Sequence, residues 1–237
     1  MSLSVIIPVK NEENVIVSTL QNLLKTLEKN LNDTFEIIIV DDFSTDNTVS
    51  VINSINSSHI KCISNKFPGV GRALSLAIES CSENYVCIFM ADESDDVSDL
   101  IKYYNLISEK SLDAVFGSRF IKNSKITNYP LFKLILNRIF NFFVSLFFCY
   151  SYNDYTNAFK IYKRETLLKL FPLISEKFNI FLEIPLKIIS RKYTFEIIPI
   201  AWKNRKIGFS KFYIKELRSH YLFTFFYCLL EKILIKK

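Results

Sequence analysis

Glycine is scarce in this chain, with only four in 237 residues. Gly69, Gly71, Gly117 and Gly208 cannot spell GxGxxG or a phosphate loop ending in a lysine–hydroxyl pair, so Gly69 and Gly71 are read as turn residues. A collagen-like or low-complexity chain is excluded on the same ground. The five cysteines, Cys62, Cys81, Cys87, Cys149 and Cys228, contain no CxxC pair and sit in apolar contexts. They read as small hydrophobes in a reducing compartment, not as a disulfide or zinc framework. Histidine is limited to His59 and His220, both read as bystanders. No basic segment follows Met1, so no signal peptide is expected. The uncharged run Tyr221 to Leu230 is ten residues long, too short for a hydrocarbon core of roughly 30 Å. There is neither an internal repeat nor a linker-like stretch.

Aromatic residues are abundant, 15% of the chain with 22 Phe, and the length allows one sizeable core. The net charge of +6 conceals a division. Residues 1–100 carry 6 Lys/Arg against 15 Asp/Glu, a net of −9, and residues 101–237 carry 24 against 9, a net of +15. An acidic half able to hold a metal is joined to a basic half able to face anions. A nucleic-acid partner is not expected, because the aromatics of the basic half cluster in helices and not on an RNP-like strand.

Five residues, Val86 to Met90, read as a short buried strand that runs into Asp92, Glu93, Asp95 and Asp96. Carboxylates at the C-terminal edge of a buried strand lie where open α/β sheets bind ligands, and oxygen-only donors suit Mg²⁺ or Mn²⁺. The plainer reading is a loop whose acids cap the next helix, near Ser98. Upstream, Leu3 to Pro8 reads as a strand, Asn11 as a helix N-cap with Glu12 and Glu13 in the first turn, and Ile16 to Leu31 as an amphipathic helix. Phe35 to Val40 is a second strand ending in Asp41-Asp42, followed by a helix through Ile55, a strand at Ile60 to Ser64 and a helix from Arg72 to Cys81. This β-α-β-α-β-α-β order predicts a mostly parallel, doubly wound sheet, with both acidic pairs on one rim.

Asp113 to Gly117 is a further strand that delivers Ser118 and Arg119 to the edge. From Leu131 to Cys149 a helix carries Lys133, Asn137, Asn141 and Ser145 every fourth residue, with Arg138 beside them and large apolar residues elsewhere. Such a helix is either mostly buried or rests in a membrane interface, and its polar stripe argues against a simple span. Ala158 to Tyr162 reads as a strand, Arg164 to Phe171 as a helix, and Phe178 to Ile189 as a helix kinked or split by Pro185, with Glu183 in apolar company. Phe195 to Ala201 alternates like a strand, and between Lys187 and Arg218 nine Lys/Arg face two Glu. Lys236-Lys237 reads as a solvated end or a contact with anionic lipid.

Taken together, Val5-Ile-Ile-Pro-Val-Lys-Asn-Glu-Glu13, Val40-Asp-Asp-Phe-Ser-Thr-Asp46, Phe89-Met-Ala-Asp92 and Gly117-Ser-Arg119 resemble a family 2 glycosyltransferase of the GT-A fold. Asp154-Tyr-Thr-Asn-Ala-Phe159 and Arg205-Lys-Ile-Gly-Phe-Ser-Lys211 are similar to its polyprenyl-phosphate (dolichol-phosphate) sugar synthase branch, and the likeness covers roughly residues 3–212. The resemblance implies that Pro8, Lys10, Asn11, Glu12, Asp41 and Asp42 line a nucleotide pocket, with Asp42 at the base or ribose. It implies Mg²⁺ or Mn²⁺ at Asp92 bridging the donor diphosphate. The family's DxD has its first Asp where this chain has Met90, so Asp92 draws help from Glu93, Ser94 or the diphosphate itself. Arg119 and Arg138 would grip an acceptor phosphate, and a loop bearing Arg205 and Lys211 would close over the donor.

The implied reaction is inverting transfer of a hexose from a nucleotide-diphosphate sugar to a polyprenyl phosphate. It would be carried out by a GT-A domain over residues 1–212 with an amphipathic membrane-associating helix over 213–237, at the cytoplasmic face of a membrane surface. Transfer to a glycan or glycolipid hydroxyl is the alternative, with Asp95, Asp96 or Asp154 as the base it would need. A non-catalytic nucleotide-binding scaffold is the third reading.

Overall fold

The computed structural model describes residues 2–205 and 217–235. Lys211, the rest of the Gly208-Phe-Ser-Lys211 stretch, the expected boundary at 212/213 and Lys236-Lys237 lie outside the described residues. Strands β1 (Ser2–Val9), β2 (Thr34–Asp41), β3 (Ile60–Ser64), β4 (Tyr85–Ile88), β5 (Ala114–Ser118), β7 (Lys160–Lys163) and β8 (Phe195–Pro199) form a seven-stranded sheet in the order β3-β2-β1-β4-β7-β5-β8. All pairs are parallel except those of β7, which runs antiparallel between β4 and β5. A separate parallel ribbon joins β6 (Lys125–Thr127) to β9 (Ala201–Lys203).

Both faces of the sheet are covered, which is why its strands are apolar runs without alternation. Val5, Ile7, Ile37, Ile39 and Cys87 point to one core with Leu20 and Leu23 of α1 (Ile16–Asn30) and Leu100 and Tyr103 of α4 (Val97–Glu109). Ile6, Ile38, Val86 and Ile88 point to the other, with α3 (Val70–Ser80), α7 (Ile180–Ser190) and α8 (Leu222–Leu234). Short helices α2 (Thr48–Asn53) and α6 (Arg164–Lys169) complete the connections. The chain moves outward from β1 to β2 and β3, then crosses back to place β4 on the other side of β1. The crevice beyond the ends of β1 and β4 is therefore the switch point at which such sheets bind ligands.

Several expected boundaries moved. Strand β4 ends at Ile88, so Phe89 and Met90 already belong to the loop. Asn11 does not cap α1: it takes a left-handed conformation (φ 49°), and Glu12 O instead receives Val15 N and Ile16 N, so the helix starts at Ile16. Pro185 neither splits nor ends α7, which runs unbroken to Ser190. The expected strand through Ala201 is divided at Ile200 into β8 and β9, which lie in different sheets. Gly69 has φ 132°, open only to glycine, and a Cβ at Gly69 or Gly71 would run into the backbone of Ser175 and Glu176. The two glycines thus let the start of α3 dock on that segment, with Gly71 N donating to Glu176 O at 2.9 Å.

Helix α5 (Leu131–Phe148) is built inside out. Its polar stripe faces the protein: Asn137 Nδ2 donates to Thr156 Oγ1 at 2.8 Å, Asn141 Oδ1 accepts from Tyr155 N at 2.6 Å, and Ser145 Oγ donates to Tyr152 O. The large apolar residues face outward, with Leu131, Phe132, Phe142, Leu146 and Phe147 each 50% or more exposed. Helix α8 repeats this, burying Thr224, Phe225 and Cys228 while exposing Phe223, Phe226, Leu230 and Ile233. The two are tied where Phe225 meets Phe147 at 5.5 Å and Lys232 Nζ donates to Phe148 O at 2.6 Å.

Candidate active site

A cleft of about 1140 Å³ opens at the β1/β4 switch point. Its polar end is lined by Pro8, Lys10, Asn11, Glu12, Asp42, Asp92 and Arg205, and its opposite wall by Phe132, Leu136, Phe140 and Phe143 of α5 with Phe178 and Phe181. The β1 and β2 ends are stitched together: Asn11 Oδ1 accepts from Thr45 N at 2.7 Å, and Glu12 N donates to Thr48 Oγ1 at 2.8 Å. Asn11 is thereby a brace of the pocket floor. Asp42 Oδ1 accepts from Asn65 Nδ2 at 2.8 Å and Gly69 N at 2.7 Å, which fixes its carboxylate at the rim. Asp41 is not part of the cleft lining; its carboxylate accepts from Ser44 N at 3.3 Å and shapes the turn.

Beyond β4 the four acids part company. Asp92 Oδ1 accepts from Ser94 N at 3.1 Å and Asp92 Oδ2 from Arg205 Nη2 at 2.6 Å, while Arg205 Nη1 also lies 3.6 Å from Glu12 Oε1. Glu93, with φ 57°, turns its carboxylate out of the cleft to accept from Ser18 Oγ at 2.5 Å. Asp96 is the N-cap of α4, accepting from Ser98 N at 2.9 Å. Asp95 is buried in the cleft wall, and its Oδ1 has no hydrogen-bond partner among the described residues. Burial first, and the charge of Asp92 second, push the Asp95 carboxyl up to about 8.

Arg119 emerges from β5 into a box of rings, its guanidinium carbon 5.4 Å from the Phe120 centroid, 5.5 Å from Tyr129 and 5.6 Å from Trp202. Nε and Nη2 donate to the two oxygens of Asp154 at 2.8 and 2.7 Å, and Arg119 N adds a third bond at 2.9 Å. The pair is almost dry, at 8% and 0% exposure. Burial opposes the charge of Arg119, but the charge and hydrogen bonds of Asp154 together outweigh it and hold the pKa above its ordinary value. Arg138 sits across Phe120, 4.6 Å from its centroid, and donates to Asn153 O at 3.1 Å. It is one ring removed from Arg119 and outside the cleft lining.

Three participants escaped the sequence reading. Tyr129 and Trp202 complete the Arg119 box, and only the position of Trp202 just after an alternating strand hinted at a role. Lys160 is fully buried and donates to Asn157 O and, at 3.1 Å, to Tyr155 O, holding the loop from which Asp154 projects. Burial pushes its pKa down to about 7. A lysine inside an apolar strand was the available signal.

Among the described residues there is no ready-made group of three or more His, Cys, Asp or Glu able to hold a metal. The donors that are present nonetheless fit a hard divalent cation. Asp92 reaches the cleft, Asp95 has an orphaned buried oxygen beside it, and a bound diphosphate would supply further oxygens.

Residues 4–171 match the profile of Glycosyl transferase family 2. The chain is 28% identical over 221 residues to a dolichyl-phosphate beta-glucosyltransferase of Saccharomyces cerevisiae, covering 84% of this chain and 66% of that protein. Proteins of the same description from Drosophila melanogaster (32% over 188 residues, 72% of this chain and 57% of the relative) and Dictyostelium discoideum (30% over 187 residues, 73% and 57%) are also similar. The matches thus extend over less than two thirds of these relatives' lengths. In three dimensions the chain superposes on glucosyl-3-phosphoglycerate synthase from Mycobacterium tuberculosis, solved with Mn²⁺, uridine diphosphate and phosphoglyceric acid. That match has a TM-score of 0.71 at 16% identity and covers 100% of this chain and 80% of the other. The same enzyme with Mn²⁺ and UDP-glucose gives 0.69 at 17%, covering 100% and 80%. At such identities the likeness speaks to the fold, which is GT-A. With the profile spanning most of the sheet and the switch-point cleft, the chain belongs to glycosyl transferase family 2.

Proposed function

We propose that the protein transfers a hexose, with glucose as the first candidate, from a nucleoside-diphosphate donor to a polyprenyl phosphate, inverting the anomeric centre. The observation that carries this reading is the composition of one cleft: carboxylates and cations at the sheet edge, and a phenylalanine-rich wall from α5 and α7 running to the outward apolar face. A water-soluble acceptor has no use for such a wall. The names of the curated relatives favour the same acceptor and a glucosyl donor.

In this reading Asp42 and the Lys10–Glu12 turn hold the nucleoside end, and Arg205 faces the diphosphate. An acceptor phosphate oxygen attacks the anomeric carbon from the side opposite the diphosphate. The carbon–oxygen bond to the diphosphate breaks, its electron pair stays on the departing nucleoside diphosphate, and the configuration inverts. Charge grows on the leaving group, where preorganised cations are most effective. Mg²⁺ or Mn²⁺ held at Asp92 would neutralise more of that charge. A phosphate is already anionic near neutral pH, with a second pKa of about 6, and needs positioning by Arg119, which lines the cleft, not a strong base. Lys211 belongs to the same proposal as a donor-phosphate contact.

Docking is proposed through the exposed faces of α5 and α8. Helix α5 is 18 residues long with mean hydropathy 1.6 and 17% buried, enough by length and composition to cross a bilayer. Its inward polar bonds to residues 152–156 favour lying in the interface with the cleft at the cytoplasmic surface. A glycan hydroxyl acceptor is the second reading. Asp154 is bound to Arg119 and Asp96 caps α4, so that reading would draw on Asp95 as base. Incubation with radiolabelled UDP-glucose or GDP-mannose and vesicles containing polyprenyl phosphate tests both. Label in a mild-acid-labile lipid is expected, label in an acid-stable glycan would promote the second reading, and no transfer from any donor would overturn both.

A further inference from the structure

We infer that Asp95 is the second protein ligand of the divalent cation at Asp92, standing in for the carboxylate that Met90 lacks. The inference rests on the nucleotide-sugar reading of the cleft and assigns one of its residues. Met90 lines the cleft with a thioether, a soft donor poorly suited to Mg²⁺ or Mn²⁺. Such ions are held by one or two carboxylates together with substrate phosphates, so Asp92 leaves room for one further protein carboxylate. The neighbouring acids are engaged elsewhere. Glu93 is bonded to Ser18, Asp96 caps α4, and Asp42 is bound by Asn65 and Gly69.

Asp95 differs from all of them. It is 8% exposed, lines the same cleft as Asp92 and Ser94, and its Oδ1 is buried with no partner among the described residues. A buried acceptor left unmade is costly, and native proteins keep such groups only for a reason. Arg119 does not satisfy it, because that guanidinium forks onto Asp154. The Asp95 backbone is held by an antiparallel bridge to Trp202, with Ser94 O accepting from Lys203 N at 2.9 Å, so the carboxylate is presented from a fixed strand-like segment. Three residues after Asp92, it lines the same cleft. A cation between the two carboxylates satisfies the orphaned oxygen and offsets the like charges. Arg205 Nη2 lies 2.6 Å from Asp92 Oδ2.

The test measures Mn²⁺ binding to the full chain by water-proton relaxation enhancement, with Mn²⁺ alone and with Mn²⁺ plus UDP. UDP binding in EDTA is measured separately by equilibrium dialysis. Asp95→Asn should weaken Mn²⁺ binding at least about tenfold, with UDP still bound in EDTA. Met90→Asp in the Asp95→Asn background should restore Mn²⁺ affinity to within about threefold of the parent, as expected if either carboxylate completes the same ligand set. The metal-free Asp95→Asn chain should melt higher than the parent, since the amide has no charge to bury beside Asp92, which separates lost binding from lost folding. Mn²⁺ binding unchanged by Asp95→Asn, or not restored by Met90→Asp, would overturn the inference. Absence of UDP binding in EDTA would instead count against the donor reading, and the arm with Mn²⁺ alone still decides the role of Asp95.

Discussion

Replacing Asp154 by Asn leaves the Arg119 guanidinium charged, 8% exposed and ringed by Phe120, Tyr129 and Trp202, without its hydrogen-bonded counter-charge. Removing one partner of a buried pair typically costs about 3–5 kcal/mol. For a domain of this size each kcal/mol shifts the melting temperature by roughly 2–4 °C, so a fall of about 6–20 °C is expected. The second variant is Arg119→Met, and the double variant removes both charges at once. Its cost should fall short of the sum of the singles by at least about 1 kcal/mol, the signature of direct coupling. Thermal and urea unfolding followed by far-UV circular dichroism measure all three. Transfer, assayed well below every midpoint, should drop about a hundredfold in Asp154→Asn, because the guanidinium loses the fork that aims it. A shift under 2 °C, or additive single effects, would refute the claim that this pair is dry and coupled.

The remaining predictions concern other buried and exposed groups. Asp95 has a folded pKa of about 8 against about 3.9 in an unfolded chain. Ionising it therefore disfavours the metal-free fold increasingly from about pH 4, and fully above about pH 8. Urea unfolding should show the parent losing a few kcal/mol across that window relative to Asp95→Asn, each pH unit between the two values corresponding to about 1.4 kcal/mol; equal slopes would contradict this. Lys187→Met strands Glu183, now paired at 2.8 Å with both side chains fully buried, and should cost about 3–5 kcal/mol in the same assay. A loss under 1 kcal/mol would refute it. Phe142, Phe143 and Phe147 are 50–65% exposed. Changing all three to Ser should remove about 3 kcal/mol of apolar contact with a bilayer, weakening co-sedimentation with anionic vesicles roughly a hundredfold; unchanged sedimentation would argue against docking through α5.

The alternation of strands and helices, the doubly wound sheet and the acidic rim were legible because buried parallel strands are short apolar runs and their ends carry punctuation. What sequence periodicity could not convey was direction. The four-residue polar stripe of α5 suggested a burial problem, yet nothing in it said that Asn137, Asn141 and Ser145 face inward to hold residues 152–156. Asn11 has the chemistry of a helix cap, but a bond 34 residues away to Thr45 N holds it in a left-handed turn instead. Arg119 and Asp154 were each singled out, while their mutual fork, across 35 residues of chain, depends on β7 entering the sheet antiparallel. Glu183 could be exposed or buried by pattern alone; Lys187 and the backbone of Ile174 and Ser175 made its burial tolerable. Asp95 looked like one acid among four, and only the departure of Glu93 and Asp96 to other partners sets it apart.

One cleft is proposed to join a nucleotide-sugar site to a lipid wall. The most direct test compares kcat/KM for transfer to phosphate acceptors whose tails lengthen from none to eight isoprene units, with donor and detergent fixed. The account predicts that kcat/KM rises at least about tenfold once the tail is long enough to lie along Phe132, Leu136 and Phe140, and that Phe140→Ser removes most of the rise. A rate independent of tail length, or one highest for the tail-less phosphate, would contradict it.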